Sequence, residues 1–455
     1  MRTILPVKVP EIIELLAAIN SQLSAANLRN FANIVEAILA ISAPVTTLSL
    51  SRFCRSSYRT VQRFYALKDI NWQLIRLLLF RAFVYQPAHH YLLAGDETTQ
   101  SKAGKHTHGI ARFYSSLLKG PVRSVSLLAF SLLDVQTRKS SLIGCQQLIK
   151  AKPEAAAAGP GKKPYQPKQP VKGKPGRPKG SKNKPAQEPE SLSYQTLKGL
   201  LTLLKSNLRA LLPDIKCCHL VLDGFYGHSA YLKLALDNEL KIISRFKSNA
   251  CLYLAYRGGY SGKGRPKTKG LKVDVAALPK EYLAETTHDS QAKVHTGIYH
   301  FEAYTPSIKG VLLKVVVLVH THQPTGRVSR TILFSNDLTL TATQLKEYYS
   351  LRFQLEFDFR DAKQYFGLSS FRNYKEKQVT NAVNIAFTLC LLSKILRQKM
   401  REKYNCPTMG IADMKVLFRI ELLMEKTLKS IKSAPNQLLS PQNIANMAKF
   451  ETIHL

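Results

Sequence analysis

Apolar positions recur at helical spacing through residues 10–85, in EIIELLAAINSQL, in NFANIVEAILAIS and on to INWQLIRLLLF, and they predict an all-helical unit. The pattern then changes to short apolar runs bounded by polar turns. YLLAGD (residues 91–96), RSVSLLAFSLLDV (123–135), CCHLVLD (217–223) and KIISRFKS (241–248) read as strands, with a periodic helix at 193–213 between the second and third. From about 250 to 337 the chain is strand-like, with candidates in CLYLAY, YHFEAYT, GVLLKVVVLVHT and SRTILFS. Residues 376–432 return to helical periodicity, including AVNIAFTLCLLSKIL, and lead into a C-terminal helical region reaching 455. Residues 151–190 carry no apolar period at all. They are rich in Pro, Gly, Lys and Ala and predict a flexible basic insertion. The alternation of strands and helices gives an α/β class.

Composition adds a partner to this layout. The 455 residues contain 66 Lys and Arg against 30 Asp and Glu, a formal charge of +36. Such an excess exceeds what solubility requires and points to a polyanion. A membrane surface is the rival. The sequence shows no run of about 18 apolar residues and no secretory signal pattern, so no membrane is expected. The seven cysteines form no CxxC pair, which fits a reducing cytoplasm and argues against a zinc site.

Two segments suit DNA directly. Residues 49–66 read as helix, short turn, helix, and the second helix presents Arg55, Ser57, Tyr58, Arg59, Gln62 and Arg63. That arrangement resembles a helix-turn-helix, with Arg59 and Arg63 placed to meet a groove, although an ordinary helical hairpin has the same pattern. Within the basic insertion, KPGRPKGSK resembles an AT-hook, with Arg177 at its core and Lys174 and Lys179 beside it. A nonspecific basic linker is the alternative there.

The densest chemistry lies in YSLRFQLEFDFRDAK, residues 349–363. On one continuous helix, Tyr349, Arg352, Glu356 and Lys363 fall within an arc of about 60°. Asp358, Asp361 and Glu347 project away from that stripe. One carboxylate among two cations and a phenol is a metal ligand surrounded by phosphate-binding groups, or else a solvated i, i+4 ion pair. Upstream, Asp96 ends the apolar run 91–96 and Asp223 ends 217–223. Both would lie at strand exits, where ligands gather, and Asp223 could equally cap the following helix. Glu97 would face the other side of its strand, while Lys102, Lys105 and Arg112 could reach phosphates or remain solvated loop charges.

The spacing Y-x2-R-x3-E-x6-K resembles the signature of the insertion sequence four (IS-four) family of bacterial DDE transposases, and D-E-T-x-x-x-K-x-G-K at Asp96 resembles the block around that family's first catalytic aspartate. The resemblance covers roughly residues 90–370. It implies a ribonuclease H-like core in three parts, 86–150, 191–249 and 338–375, interrupted by a β-rich insertion domain at 250–337, with the helical DNA-binding domain at 1–85 and the helical region 376–455 outside it. It implies Asp96, Asp223 and Glu356 as catalytic ligands of two Mg²⁺ ions, with Mn²⁺ as a substitute; oxygen-only donors agree with that choice. Tyr349, Arg352 and Lys363 would grip DNA phosphates. It implies double-stranded DNA as partner, both element ends and target, held by a homodimer on the nucleoid. In known members an inserted tryptophan stacks on a flipped base, whereas the single tryptophan here, Trp72, lies in the N-terminal unit. Tyr256, Tyr260 or Phe301 would stand in, or the hairpin step is absent. A nuclease without strand transfer and a non-catalytic DNA-binding regulator are the competing functions.

Overall fold

The computed structural model of the chain describes residues 10–115, 118–151, 191–260, 262, 266–430 and 444. Most of the insertion at 151–190, with Lys174, Arg177 and Lys179, lies outside the described residues.

Five helices come first: α1 (Pro10–Ala17), α2 (Ala25–Ala40), α3 (Thr47–Phe53), α4 (Tyr58–Tyr65) and α5 (Trp72–Phe83). Polar caps start four of them: Ser24, Thr46, Ser57 and Asn71 each accept a backbone N–H of the first turn. There follow β1 (His90–Ser101), β2 (Ala111–Ser115), β3 (Gly120–Asp134), β4 (Lys139–Leu148), α6 (Leu192–Leu211), β5 (Lys216–Leu222), α7 (Ser229–Asp237) and β6 (Lys241–Phe246). Next are β7 (Tyr253–Ala255), β8 (Lys269–Lys272), β9 (Leu283–Asp289), β10 (Val294–Thr305), β11 (Ile308–His322) and β12 (Val328–Ser335). After them come α8 (Ala342–Leu351), α9 (Phe353–Gln364), α10 (Glu376–Lys403) and α11 (Ile411–Ser430).

Among the described residues, twelve strands join one mixed sheet, ordered β2-β3-β1-β5-β6-β12-β11-β10-β7-β8, with β4 on β3 and β9 on β10. The β1–β5 and β5–β6 pairs are parallel, while β1–β3, β3–β4 and β6–β12 are antiparallel. Tyr91 to Ala94 of β1 and Leu220 to Leu222 of β5 are buried at every position, which requires cover on both sheet faces. Helices α5, α6, α9 and α10 pack on β4, and α7 and α8 pack near β6 and β12. The strands after residue 250 number six rather than four, and they extend the central sheet because β12 pairs with β6.

The expectation of no long apolar run needs correction. α10 is long enough to cross a membrane and one 18-residue window of it is apolar enough (mean hydropathy 1.6), but 83% of that window is buried in this fold. Its polar residues are used internally. Asn381 accepts from Trp72 Nε1 at 2.8 Å, and Asn384 and Thr388 accept from the guanidinium of Arg76, which is 1% exposed.

The N-terminal hairpin also differs from its sequence reading. α4 exposes Tyr58, Arg59, Gln62 and Arg63 and buries Val61, Phe64 and Tyr65. Arg55 is not on that face: it lies in the α3–α4 turn, ion-paired to Glu36 at 3.1 Å and to Glu425 at 2.5 Å. Ser57 is the α4 cap.

Candidate functional site

Asp96 is not at a strand exit, because β1 continues to Ser101 against β3, with Asp96 opposite Ala129. What ends at Asp96 is the other edge. The parallel β1–β5 pairing stops at Gly95 opposite Leu222, so Asp96 and Asp223 follow the last paired residues side by side. Divergence of two parallel strands leaves a cleft at their carboxyl ends, the usual place for ligands in such sheets. Gly95 permits the tight packing below the cleft, since a Cβ there would lie 2.6 Å from the Phe130 ring and 2.9 Å from Leu222.

Asp223 leads into a three-residue 3₁₀ turn, Gly224–Tyr226, but its side chain makes no capping hydrogen bond. The cap role is thus not taken, and the carboxylate is turned elsewhere. Ser244 Oγ holds the Asp223 carbonyl at 3.0 Å, and Tyr226 Oη donates to Glu97 at 2.9 Å, tying the two acid-bearing segments together.

The third element is broken where the sequence suggested one helix: α8 and α9 meet at Arg352, whose φ and ψ (−50°, −33°) stay helical. The stripe therefore survives the break. Arg352 Nη1 donates to Asp96 Oδ2 at 2.5 Å, Nη2 to Glu356 Oε1 at 3.1 Å, and Nη2 lies 3.8 Å from Asp223 Oδ1. Tyr349 Oη donates to Asp223 at 3.2 Å. Three acids from distant parts of the chain thus converge on one guanidinium, whose side chain is 11% exposed. The buried Nε of that guanidinium has no hydrogen-bond partner among the described residues. Lys363 and Arg360 join Asp96, Glu97, Thr98 and Glu356 around an open cavity of about 630 Å³.

Burial raises the Asp96 carboxyl to about 6; Asp223 and Glu356 add to the shift, and Arg352 only partly offsets it. Burial and the charge of Asp223 raise the Tyr349 phenol, and burial lowers Lys363. Desolvation works against the Arg352 charge, but Asp96, Tyr349, Asp223 and Glu356 outweigh it and hold the guanidinium protonated.

Behind the site, the buried Asp358 accepts from Lys394 Nζ and, at 2.7 Å, from Ser140 Oγ. Glu347 pairs with Arg138, so these acids do project away from the stripe. Lys102 is not free for phosphate. Its ammonium donates to the carbonyls of Ser369 and Phe371 at 3.1 and 3.0 Å, over the Phe371 ring.

Arg59 and Arg63 sit on α4, which packs on α2, α3 and α10 and adds nothing to the acid cluster. Phe301 is 5% exposed and cannot serve as a stacking surface, whereas Tyr256 (38%) and Tyr260 (60%) are open. Sequence reasoning missed Arg245, whose Nη2 lies 3.6 Å from Asp223 Oδ1. Arg245 lies two residues past Ile243 of β6, which pairs with Val221 of β5, and Asp223 lies two past Val221, a register that no local sequence pattern carries.

The donors are oxygen only, and the three carboxylates already gather around a cation. That set suits Mg²⁺ or Mn²⁺. Among the described residues no group of three or more His, Cys, Asp or Glu is arranged to hold an ion as it stands, because Arg352 lies between the three acids.

In a mixed α/β fold, the site thus gathers three acids, two of them at the carboxyl ends of adjacent parallel strands. The chain belongs to the family described as DDE superfamily endonuclease, which matches residues 19–300, well over half its length. That match includes Asp96 and Asp223 and stops short of Glu356. Among solved structures, the chain is similar to a piggyBac transposase in a synaptic complex with hairpin DNA, at 11% identity and a TM-score of 0.39, over 97% of this chain and 82% of that one. No curated protein matches it.

Proposed function

We propose that this DDE endonuclease is a DNA transposase of the IS-four type, cutting element ends and joining them to target DNA. The observation that carries this reading is the convergence of Asp96, Asp223 and Glu356 on Arg352. The strand order β4-β3-β1-β5-β6, antiparallel on one side of β1 and parallel on the other, supports a ribonuclease H-like core. In that core 86–150, 191–249 and 338–375 are the three parts, 250–337 the β-rich insertion and 1–85 the DNA-binding domain.

Asp96, Asp223 and Glu356 would hold two divalent ions, which when bound supply activation of the attacking water or 3′-hydroxyl and charge stabilisation at the leaving oxygen. Arg352, released from the carboxylates, and Lys363 would clamp the phosphates flanking the cut, and Tyr349 would orient Asp223 through their hydrogen bond. Arg59 and Arg63 on α4 would contact the element end. Strand transfer needs two ends together, which supports a homodimer on DNA.

The test is incubation of purified protein with a duplex carrying its own element's end, in Mg²⁺ or EDTA, with labelled target DNA added. Cleavage at the end in Mg²⁺ alone, followed by joining to target, is the expected result. End cleavage without joining would leave a nuclease, and tight binding without cleavage a regulator.

Two further outcomes are expected. Because Asp96 titrates near 6 and a ligand must lose its proton, Mn²⁺ affinity should fall as pH drops below that value, by up to about tenfold per unit. Isothermal titration at pH 5 and 7.5 in buffers of different ionisation enthalpy checks both the weakening and the proton release. Replacing Arg59 and Arg63 with Gln should weaken binding to end DNA and lower the salt slope by about two, one for each phosphate no longer neutralised. Anisotropy titrations across a salt series read the slope directly.

A further inference from the structure

A second groove, sharing no lining residue with the acid cavity, opens at the turn that follows Asp223. It encloses about 690 Å³ and is lined by Phe225, Arg245, Lys247, Asn249 and Arg330 among others, with no acid in its lining. Phe225 is 67% exposed although it lies in the turn directly after Asp223. That turn is fixed from several sides. A Cβ on Gly224 or Gly227 would lie 3.0 or 2.8 Å from the Arg245 carbonyl, so the turn sits hard against β6. Ser244 Oγ holds the Asp223 carbonyl, and Tyr226 is anchored through Glu97. Tyr226 in turn meets the Phe225 ring edge-on, with centroids 5.2 Å apart and planes at 88°.

A phenyl ring held open on a rigid turn is a flat surface available to another ring, and its neighbours are cations. Arg330 donates through Nη2 to the Ala276 carbonyl at 3.1 Å, while its buried Nε has no partner among the described residues. Arg330, Ser248 and Asn249 also line an adjoining groove of about 470 Å³, whose wall adds Lys272 and Asp274. An aromatic face with flanking cations is the recognition surface for an unpaired nucleotide: the base stacks and the phosphates meet the cations. Duplex DNA offers no free base face and would not use the ring.

We propose that Phe225, Arg245, Lys247 and Arg330 form a binding site for an unpaired nucleotide of the DNA strand next to the phosphate cut at the carboxylate cluster. The inference rests on the transposase reading and specifies how that site handles the cut strand. Stacking makes the site tolerant of base identity.

Binding is measured by fluorescence anisotropy in EDTA, with a duplex carrying a short unpaired 3′ overhang and with a blunt duplex of the same length. The wild type should prefer the overhang. Phe225→Ala should lose about tenfold on the overhang duplex, within the range for one stacked base, and keep its affinity for blunt duplex; Phe225→Trp should retain the preference. Equal binding of the overhang by wild type and Phe225→Ala, or an equal loss on both duplexes, overturns the site. The reading of the enzyme itself fails on a separate result, the absence of Mg²⁺-dependent end cleavage by the wild type.

Discussion

Glu356→Gln is expected to lower metal-dependent cleavage of end DNA by about three orders of magnitude while DNA binding stays within about twofold. Loss of one carboxylate from the set removes several kcal/mol of transition-state stabilisation, and each 1.4 kcal/mol or so is about tenfold in rate. The substitution keeps size and removes charge. The Glu356 side chain is 39% exposed and its ion pair with Arg352 spans one helical turn, so little stability depends on it. Single-turnover cleavage assays, with anisotropy for binding, separate the two effects. Cleavage that survives would move the third ligand to Glu97, the other acid on the wall of the same cavity.

The stripe from Tyr349 to Lys363 was legible because helical spacing is local. Three side chains at i, i+3 and i+7 share a face whether or not the helix is continuous, and the break at Arg352 leaves the geometry intact. Asp96 and Asp223 were legible as the ends of apolar runs. The adjacency of the two was not, because it depends on β1 and β5 pairing in parallel with Gly95 opposite Leu222, a register that no local pattern carries. The true end of β1 was hidden for a related reason. DETTQS is polar and reads as loop, yet β3 supplies its hydrogen bonds as far as Ser101 opposite Ser124. Strand β4, KSSLIGCQQL, escaped notice because only its middle is apolar. Charges were the least legible of all. Arg55 read as part of a groove-facing helix and Lys102 as a phosphate contact or a solvated loop charge, and both are committed to internal partners, Arg55 to two carboxylates and Lys102 to two carbonyls.

Arg352 has a double position that composition alone would not suggest. The proposed reading has it grip DNA, while in this structure it is the counter-ion around which three acids gather. Burial and the charges of Asp223 and Glu356 raise the Asp96 carboxyl, and Arg352 opposes that rise. Divalent ions bound there would compete with the guanidinium for the same oxygens. A DNA phosphate near Arg352 would favour the ions by drawing the guanidinium away.

The largest effect on stability is expected from Lys394→Met. Asp358 is 1% exposed and lies two residues from Glu356, on the face of α9 turned toward α10 and β4. Its carboxylate is satisfied by Lys394 and by Ser140 Oγ. Lys394 also donates to the Ser140 carbonyl at 2.7 Å, so one ammonium fastens α10, α9 and β4 together. Removing it strands a buried charge, at a cost of about 3–5 kcal/mol. The double variant Lys394→Met/Asp358→Leu should recover most of that loss, since an apolar pair of similar volume has no charge to desolvate. Urea denaturation of the three proteins measures both steps, and a Lys394→Met cost below about 1 kcal/mol would show that Asp358 does not depend on the pair. Cleavage adds a second readout. If this anchor sets the position of α9, Lys394→Met should lower the rate under conditions where it is still folded, and the double variant should restore the rate along with the stability.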